Sequence, residues 1–124
     1  NPASCIAALN LLVELDTTRR VAVFGDMYEL GSYEEEGHRL VGGRAAETVD
    51  ALYTMGPRAR LIAAEAVKAR PDLPVEMFDD KRALEDALRR DLRPGDLVLI
   101  KGSRGLELET LVAALRTETT GETD

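Results

Sequence analysis

Apolar residues along this chain follow two different spacings. Four short segments that are mainly apolar, at positions 21–24, 51–55, 75–78 and 97–100, have the length of strands. Between and around these segments, apolar residues recur three and four positions apart, which is typical of helices. The pattern therefore predicts four strands that alternate with helices along the chain.

Short polar residues mark where several of the predicted helices begin. Ser4 is placed to cap a first helix, and Ser32 with Glu35 forms a capping-box pair before a second one. Apolar residues in the range 108–115 predict a last helix. The second helix contains Gly42 and Gly43, each of which costs about 1 kcal/mol relative to alanine. We expect these two glycines to allow close packing of the helix on the sheet.

Strands that alternate with helices of about 10 to 15 residues form parallel units with right-handed crossovers. The sequence therefore predicts an α/β domain of three layers, similar to a Rossmann sheet, with a mostly parallel sheet and helices on both faces. We expect this domain to span residues 1–116 and residues 117–124 to form a flexible tail. If the strands lie in the spatial order 3-2-1-4, the binding crevice is expected outside the carboxyl ends of the first and fourth strands.

Two unusual loops follow these two strands. The acidic loop, residues 25–31, reads Gly-Asp-Met-Tyr-Glu-Leu-Gly, and the cationic loop, residues 101–105, reads Lys-Gly-Ser-Arg-Gly. Asp26 and Glu29 could accept hydrogen bonds from an ammonium group, while Lys101 and Arg104 could bind a carboxylate or a phosphate. Amide groups in the cationic loop would add donors at the start of the last helix. A zwitterionic amino acid or small peptide fits both loops better than a purely anionic nucleotide.

Composition narrows the class of protein further. The 124 residues suffice for one domain, and 16 basic against 23 acidic residues give a net charge of -7, which disfavours nucleic acid as a partner. The apolar runs are far shorter than the roughly 20 residues of a membrane-spanning helix. Cys5 is the only cysteine, so a reducing compartment such as the cytoplasm fits best, and with His38 alone it cannot form a Cys/His zinc site.

Sequence motifs for nucleotide phosphates are missing from this chain. It has neither a Gly-x-x-x-x-Gly-Lys-Ser/Thr loop nor a Gly-x-Gly-x-x-Gly segment after the first strand. The chain also opens on Asn1 rather than methionine, which indicates a piece of something longer. We therefore expect this chain by itself to show no ATP turnover.

Four motifs, in order, resemble the C-terminal domain of the bacterial Mur ligases. They are Asn-Pro-x-Ser at residues 1–4, Val-x-Gly-Asp-Met-x-Glu-Leu-Gly at 23–31, Glu-x-His-Arg at 36–39, and the cationic loop. The resemblance covers nearly the whole chain, to about residue 115. The acidic and cationic loops together make it specific, whereas either loop alone would be weak. Tyr28 departs mildly from the family pattern, in which an aliphatic residue is commoner.

The resemblance implies a reaction in which three domains of a longer chain cooperate. An N-terminal domain holds a UDP-N-acetylmuramoyl tripeptide, and a central P-loop domain holds ATP and Mg²⁺. ATP phosphorylates the peptide carboxylate, and the amine of D-Ala-D-Ala attacks the acyl phosphate to form an amide. The C-terminal domain closes the site and helps to bind the dipeptide. By this resemblance the parent protein is a cytoplasmic, monomeric bacterial enzyme of peptidoglycan synthesis.

The resemblance also assigns site residues, which match the family's motifs position by position. Asn1 matches an asparagine at the hinge to the central domain, close to the nucleotide. The remaining matches form the two walls of the dipeptide site: Asp26, Met27, Glu29 and Leu30 in the acidic loop, and Lys101, Ser103 and Arg104 in the cationic loop. As a hypothesis, Asp26 or His38 assists deprotonation of the attacking amine.

A regulatory domain without catalytic activity is the main alternative. Asp26, Asp79 and Lys101, after the first, third and fourth strands, loosely resemble the acidic pocket and lysine of a phosphoacceptor receiver domain. The glycine- and arginine-containing cationic loop and the lack of a second acid beside Asp26 argue against this alternative. A purely structural domain would leave the two charged loops unexplained.

Overall fold

The computed structural model describes residues 1–102, and these form four helices and four strands. Ser103, Arg104, the predicted last helix and the predicted tail lie outside the described residues. The boundary at residue 116 therefore stays a prediction. A 3₁₀ turn, Gly31–Tyr33, precedes the second helix. In chain order the elements are α1 Pro2–Glu14, β1 Arg19–Gly25, α2 Glu34–Thr48, β2 Ala51–Met55, α3 Arg60–Ala69, β3 Val75–Phe78, α4 Lys81–Asp91 and β4 Asp96–Lys101.

The four strands form one parallel sheet in the order β3-β2-β1-β4. This order confirms the 3-2-1-4 arrangement expected from the sequence. In the register, Val23 pairs with Tyr53 of β2 on one side and with Ile100 of β4 on the other. Because Phe24 pairs with Lys101, β1 and β4 end side by side. The acidic loop and the start of the cationic loop therefore leave the same edge of the sheet.

Helices cover both faces of the sheet, as predicted. On one face α1, α2 and α3 pack on side chains such as Phe24 and Leu52, which are at most 1% exposed. On the other face Leu84 and Leu88 of α4 pack against Val21, Val23 and neighbouring residues of β2. The sheet is thus the middle of three layers, and its carboxyl edge is the side on which both loops begin.

Two of the predicted helix caps differ from those in the structure. Asn1, not Ser4, caps α1, because its side-chain oxygen accepts a hydrogen bond from the Ser4 backbone N–H at 2.8 Å. Pro2 then occupies the first turn, where its missing N–H has no cost. The capping box of Ser32 and Glu35 is absent, because residues 31–33 form the 3₁₀ turn and α2 begins without a side-chain cap.

Gly42 and Gly43 have opposite surroundings although they are neighbours in α2. A Cβ atom at Gly42 would lie 2.3 Å from the carbonyl oxygen of Ile62, so the backbones of α2 and α3 touch there. A Cβ atom at Gly43 would meet nothing within 4 Å. Close packing therefore explains Gly42, although its partner is α3 and not the sheet as expected. The expectation for Gly43 was wrong.

This contrast gives a matched pair of stability variants. We expect Gly42→Ala to lower the free energy of unfolding by about 2 kcal/mol or more, because α2 must move away from α3. Gly43→Ala should raise it by about 0.5–1 kcal/mol through better helix propensity. Urea unfolding of the 124-residue chain measures both changes. Equal changes for the two variants would contradict the close approach of α2 and α3.

Candidate functional site

The carboxyl edge of the sheet brings Lys101 next to the start of the acidic loop. Lys101 is half-buried, and its Nζ donates a hydrogen bond to Oγ of Ser4 at 2.6 Å. Ser4 lies in the first turn of α1, so this contact holds the cation beside the start of that helix. An ammonium group can donate three hydrogen bonds, which leaves Lys101 able to bind an anion at the same time.

Asp26 faces inward, contrary to the expectation that it contacts a ligand. The residue is 1% exposed, and its Oδ1 accepts a hydrogen bond from the Ala59 backbone N–H at 2.7 Å. Its Oδ2 lies 3.6 Å from the guanidinium of Arg58. Only glycine leaves room for the carboxylate at position 56, because a Cβ atom there would lie 2.5 Å from Asp26 Oδ1. The φ of Gly56 is +107°, which also favours glycine. Asp26 thus ties the acidic loop to residues 56–59, which we term the β2–α3 turn.

His38 is also engaged within the protein. It is fully buried, and its Nδ1 lies 2.7 Å from the Glu34 carbonyl oxygen, which can only accept a hydrogen bond. Its Nε2 accepts from the Met27 backbone N–H at 3.0 Å. These partners fix the neutral tautomer with the proton on Nδ1. The contacts argue against the hypothesis that His38 or the similarly enclosed Asp26 takes a proton from the amine.

Glu29 is the carboxylate that the acidic loop directs into solvent. Its φ is +63°, the one left-handed non-glycine backbone among residues 1–102, and such a backbone is unfavourable for a residue with a Cβ. Met27 is buried beside Cys5, with their sulfur atoms 3.9 Å apart, and Leu30 is half-buried. Met27 and Leu30 therefore support the loop, whereas the side chain of Glu29 is exposed.

Arg58 is a site residue that the sequence did not reveal. Its Nε donates to Glu34 at 2.8 Å, its NH1 lies 3.6 Å from Asp26, and its guanidinium carbon lies 4.7 Å from the centre of the Tyr28 ring. The pKa of Arg58 is raised, mainly by its hydrogen bond to Glu34. The available signal was weak, since Arg58 only follows the Gly56-Pro57 turn after a neighbouring strand.

The receiver alternative finds little support in these contacts. The carboxylate of Asp26 is enclosed, Asp79 forms an ion pair with Arg60, and Lys101 binds Ser4.

Within residues 1–102, no group of three or more His, Cys, Asp or Glu side chains could hold a metal ion. Over the same residues, no helix combines the length and apolar character that crossing a membrane requires. Burial raises the pKa of the Cys5 thiol, in keeping with a packing role.

Comparison with known proteins identifies the family. Residues 1–104 match the family model for the Mur ligase, glutamate ligase domain, so this chain belongs to that family. The matching model is that of the C-terminal domain of these ligases.

The individual relatives are ligases of one kind. UDP-N-acetylmuramoyl-tripeptide–D-alanyl-D-alanine ligase (MurF) from Treponema pallidum is 37% identical over 95% of this chain, and that from Bacillus subtilis is 34% identical over 93%. This chain spans only 26% of the length of each. The crystal structure of MurF from Acinetobacter baumannii is 28% identical, with a TM-score of 0.74 over 93% of this chain and 26% of that one.

A further solved structure supports the fold alone. MurF ligase from Thermotoga maritima, in complex with ADP, superposes with a TM-score of 0.79 at 24% identity. The superposition covers 98% of this chain and 27% of that one.

The role of Asp26 as an internal tie can be tested by stability. Asp26→Ala should lower the free energy of unfolding by about 1–3 kcal/mol, because the buried Ala59 N–H loses its acceptor. Asp26→Asn keeps an oxygen at that position and should cost less. Asp72→Ala is the control, because Asp72 is exposed and a surface substitution changes stability by about 0.5 kcal/mol or less. If Asp26→Ala and Asp72→Ala unfold at the same urea concentration, Asp26 does not have this role.

Proposed function

We propose that this domain binds D-Ala-D-Ala and closes the active site of a MurF-type ligase in the bacterial cytoplasm. The observation that carries this proposal is the pairing of β1 with β4, which brings Lys101 beside the acidic loop at one edge of the sheet. A dipeptide zwitterion needs a cation for its carboxylate and an anion for its ammonium group. Two walls of opposite charge meet both needs.

The proposed reaction joins the dipeptide to UDP-N-acetylmuramoyl tripeptide. ATP first converts the terminal carboxylate of the tripeptide into an acyl phosphate and releases ADP. The neutral amine of D-Ala-D-Ala then attacks the carbonyl carbon, a C–N bond forms, the C–O bond to phosphate breaks, and inorganic phosphate leaves. The ammonium group must lose a proton before the attack. Closure of the domain would exclude water, which otherwise hydrolyses the acyl phosphate.

The two walls have separate roles in this proposal. Lys101 holds the dipeptide carboxylate, and Ser103 and Arg104 are proposed to contribute beside it. Glu29 accepts hydrogen bonds from the ammonium group, a role that its exposed position favours over Asp26. Met27 and Leu30 keep the acidic loop in place from below.

ATP and Mg²⁺ are proposed to bind mainly to other parts of the full-length ligase. The residues described here form no cluster suited to a metal ion, so no step of the reaction is assigned to Mg²⁺ on this domain. Asn1 is exposed at the start of α1, and its side-chain NH₂ group is proposed to reach the nucleotide. We also propose that the full-length ligase is a monomer.

The role of Lys101 can be measured in the full-length ligase. Lys101→Ala should raise KM for D-Ala-D-Ala about tenfold or more, because a hydrogen bond to a charged group contributes about 1.5–3 kcal/mol. KM for ATP should change less than about twofold. Lys68→Ala is the control, because Lys68 is exposed and lies in the last turn of α3, at the end of that helix away from the β2–α3 turn. An unchanged KM for the dipeptide would remove Lys101 from this role.

The role of Glu29 is tested by an isosteric change. Glu29→Gln should raise KM for D-Ala-D-Ala about tenfold, since the charge that attracts the ammonium group is lost. Glu14→Gln is the control, because Glu14 is an exposed residue at the far end of α1. If Asp26→Asn raises this KM and Glu29→Gln does not, the assignment of the ammonium group to Glu29 is wrong.

A further inference from the structure

Tyr28 is the residue of the acidic loop that the proposed function leaves unexplained. Its side chain is exposed rather than packed in the core. In the structure the Arg58 guanidinium lies over its ring, 4.7 Å from the centroid. At this distance a cation is attracted to the face of an aromatic ring. Tyr28 therefore has a specific partner outside the loop.

Arg58 contacts three points around the acidic loop at once. Besides stacking on Tyr28, it lies 3.6 Å from Asp26 at the start of the loop and donates to Glu34 at the start of α2. Glu34 follows the 3₁₀ turn that ends the loop. One side chain thus spans the loop from its second residue to the helix after it. The planar guanidinium has five donors, which allows several contacts together.

The other contacts of the acidic loop hold its buried residues, Asp26 and Met27, but not its exposed residues. Asp26 binds the Ala59 N–H, and His38 binds the Met27 N–H, so both ties lie below the surface. Glu29, in contrast, has the left-handed backbone that a residue with a Cβ adopts only when its surroundings require it. Tyr28 directly precedes Glu29. A contact that fixes Tyr28 therefore restrains the direction of the Glu29 carboxylate.

We propose that Arg58 is a positioning residue, which holds Tyr28 and the acidic loop so that Glu29 faces the dipeptide ammonium group. The Glu29 part of this inference rests on the proposed function. Arg58 also neutralises charge at Asp26 and Glu34, so that the exposed negative charge of the loop is concentrated at Glu29. Arg58 itself touches neither the dipeptide nor the reacting atoms in this proposal.

The effect on the loop can be measured without any enzymatic reaction. In the 124-residue chain, Arg58→Gln should speed amide hydrogen exchange in residues 27–31 about fivefold or more, while exchange in β2 stays unchanged. Arg60→Gln is the matched control. Arg60 is two residues away and also ion-paired, but its partner Asp79 follows β3, which is separated from β1 by β2. Arg60→Gln should leave exchange in residues 27–31 as it is in the unchanged chain.

Kinetics of the full-length ligase then separate positioning from general stability. Arg58→Gln should raise KM for D-Ala-D-Ala about five- to tenfold, the size expected from loss of a stacked cation and an ion pair, with KM for ATP within about twofold. Arg58→Lys should recover part of this loss, since it keeps the charge but not the planar stack. Tyr28→Phe should stay near the unchanged enzyme, and Tyr28→Leu should raise the dipeptide KM. A double-mutant cycle of Tyr28→Leu with Arg58→Gln should show non-additive effects.

Two results would overturn the inference. The first is unchanged exchange in residues 27–31 of Arg58→Gln, and the second is equal kinetic effects of Arg58→Gln and Arg60→Gln. Failure of the proposed function looks different: the unchanged full-length protein would then not join D-Ala-D-Ala to the tripeptide, whatever the exchange experiment gives. Faster loop exchange in an inactive protein would therefore support the tie from Arg58 and refute only the ligase assignment.

Discussion

The buried carboxylate of Asp26 is the constraint on which the geometry of the site depends. A charge removed from water is costly unless hydrogen bonds and an opposite charge compensate it. Here the Ala59 N–H and the Arg58 guanidinium provide both, and each belongs to the β2–α3 turn. The start of the acidic loop can therefore occupy only one position relative to the neighbouring strand. Gly56 is part of the same constraint, since any side chain there would occupy the space of the carboxylate. The exposed residues of the loop, Tyr28 and Glu29, follow directly after this anchored segment.

The sequence predicted the layers and the strand order because these depend on local spacing and on the handedness of parallel connections. Apolar runs at strand length and apolar residues at helical spacing are visible without any partner. The function of Asp26 was not visible, because its hydrogen-bond donor lies 33 residues later in the chain. A carboxylate after a buried strand is equally compatible with a ligand contact and with an internal tie. The same holds for His38, whose two partners are backbone groups and leave no mark in the sequence.

The helix start at Asn1 shows a second limit of local patterns. Asn1 and Ser4 are both good capping residues, three positions apart, and either could begin a helix. Pro2 decides between them, because proline is favoured in the first turn and leaves no N–H without an acceptor. This choice has a consequence for the site. Ser4 becomes a residue of the first helical turn, and its hydroxyl is then available to accept the hydrogen bond from Lys101. A local detail of α1 thus determines what holds Lys101.

Lys101 and the acidic loop are both anchored to the starts of helices on the same face of the sheet, Lys101 to α1 and the acidic loop to α2 and α3. The helices that cover that face therefore hold Lys101 and the acidic loop in a fixed relation, because α1 packs on α2 and α2 on α3. A rigid pair of walls suits a domain that spans only about a quarter of its relatives' length. In the proposed ligase, the reacting carboxylate and the nucleotide arrive on other parts of the protein. The domain can then move as a body without disturbing the spacing that recognises the dipeptide, and only its distance from the acyl phosphate changes on closure.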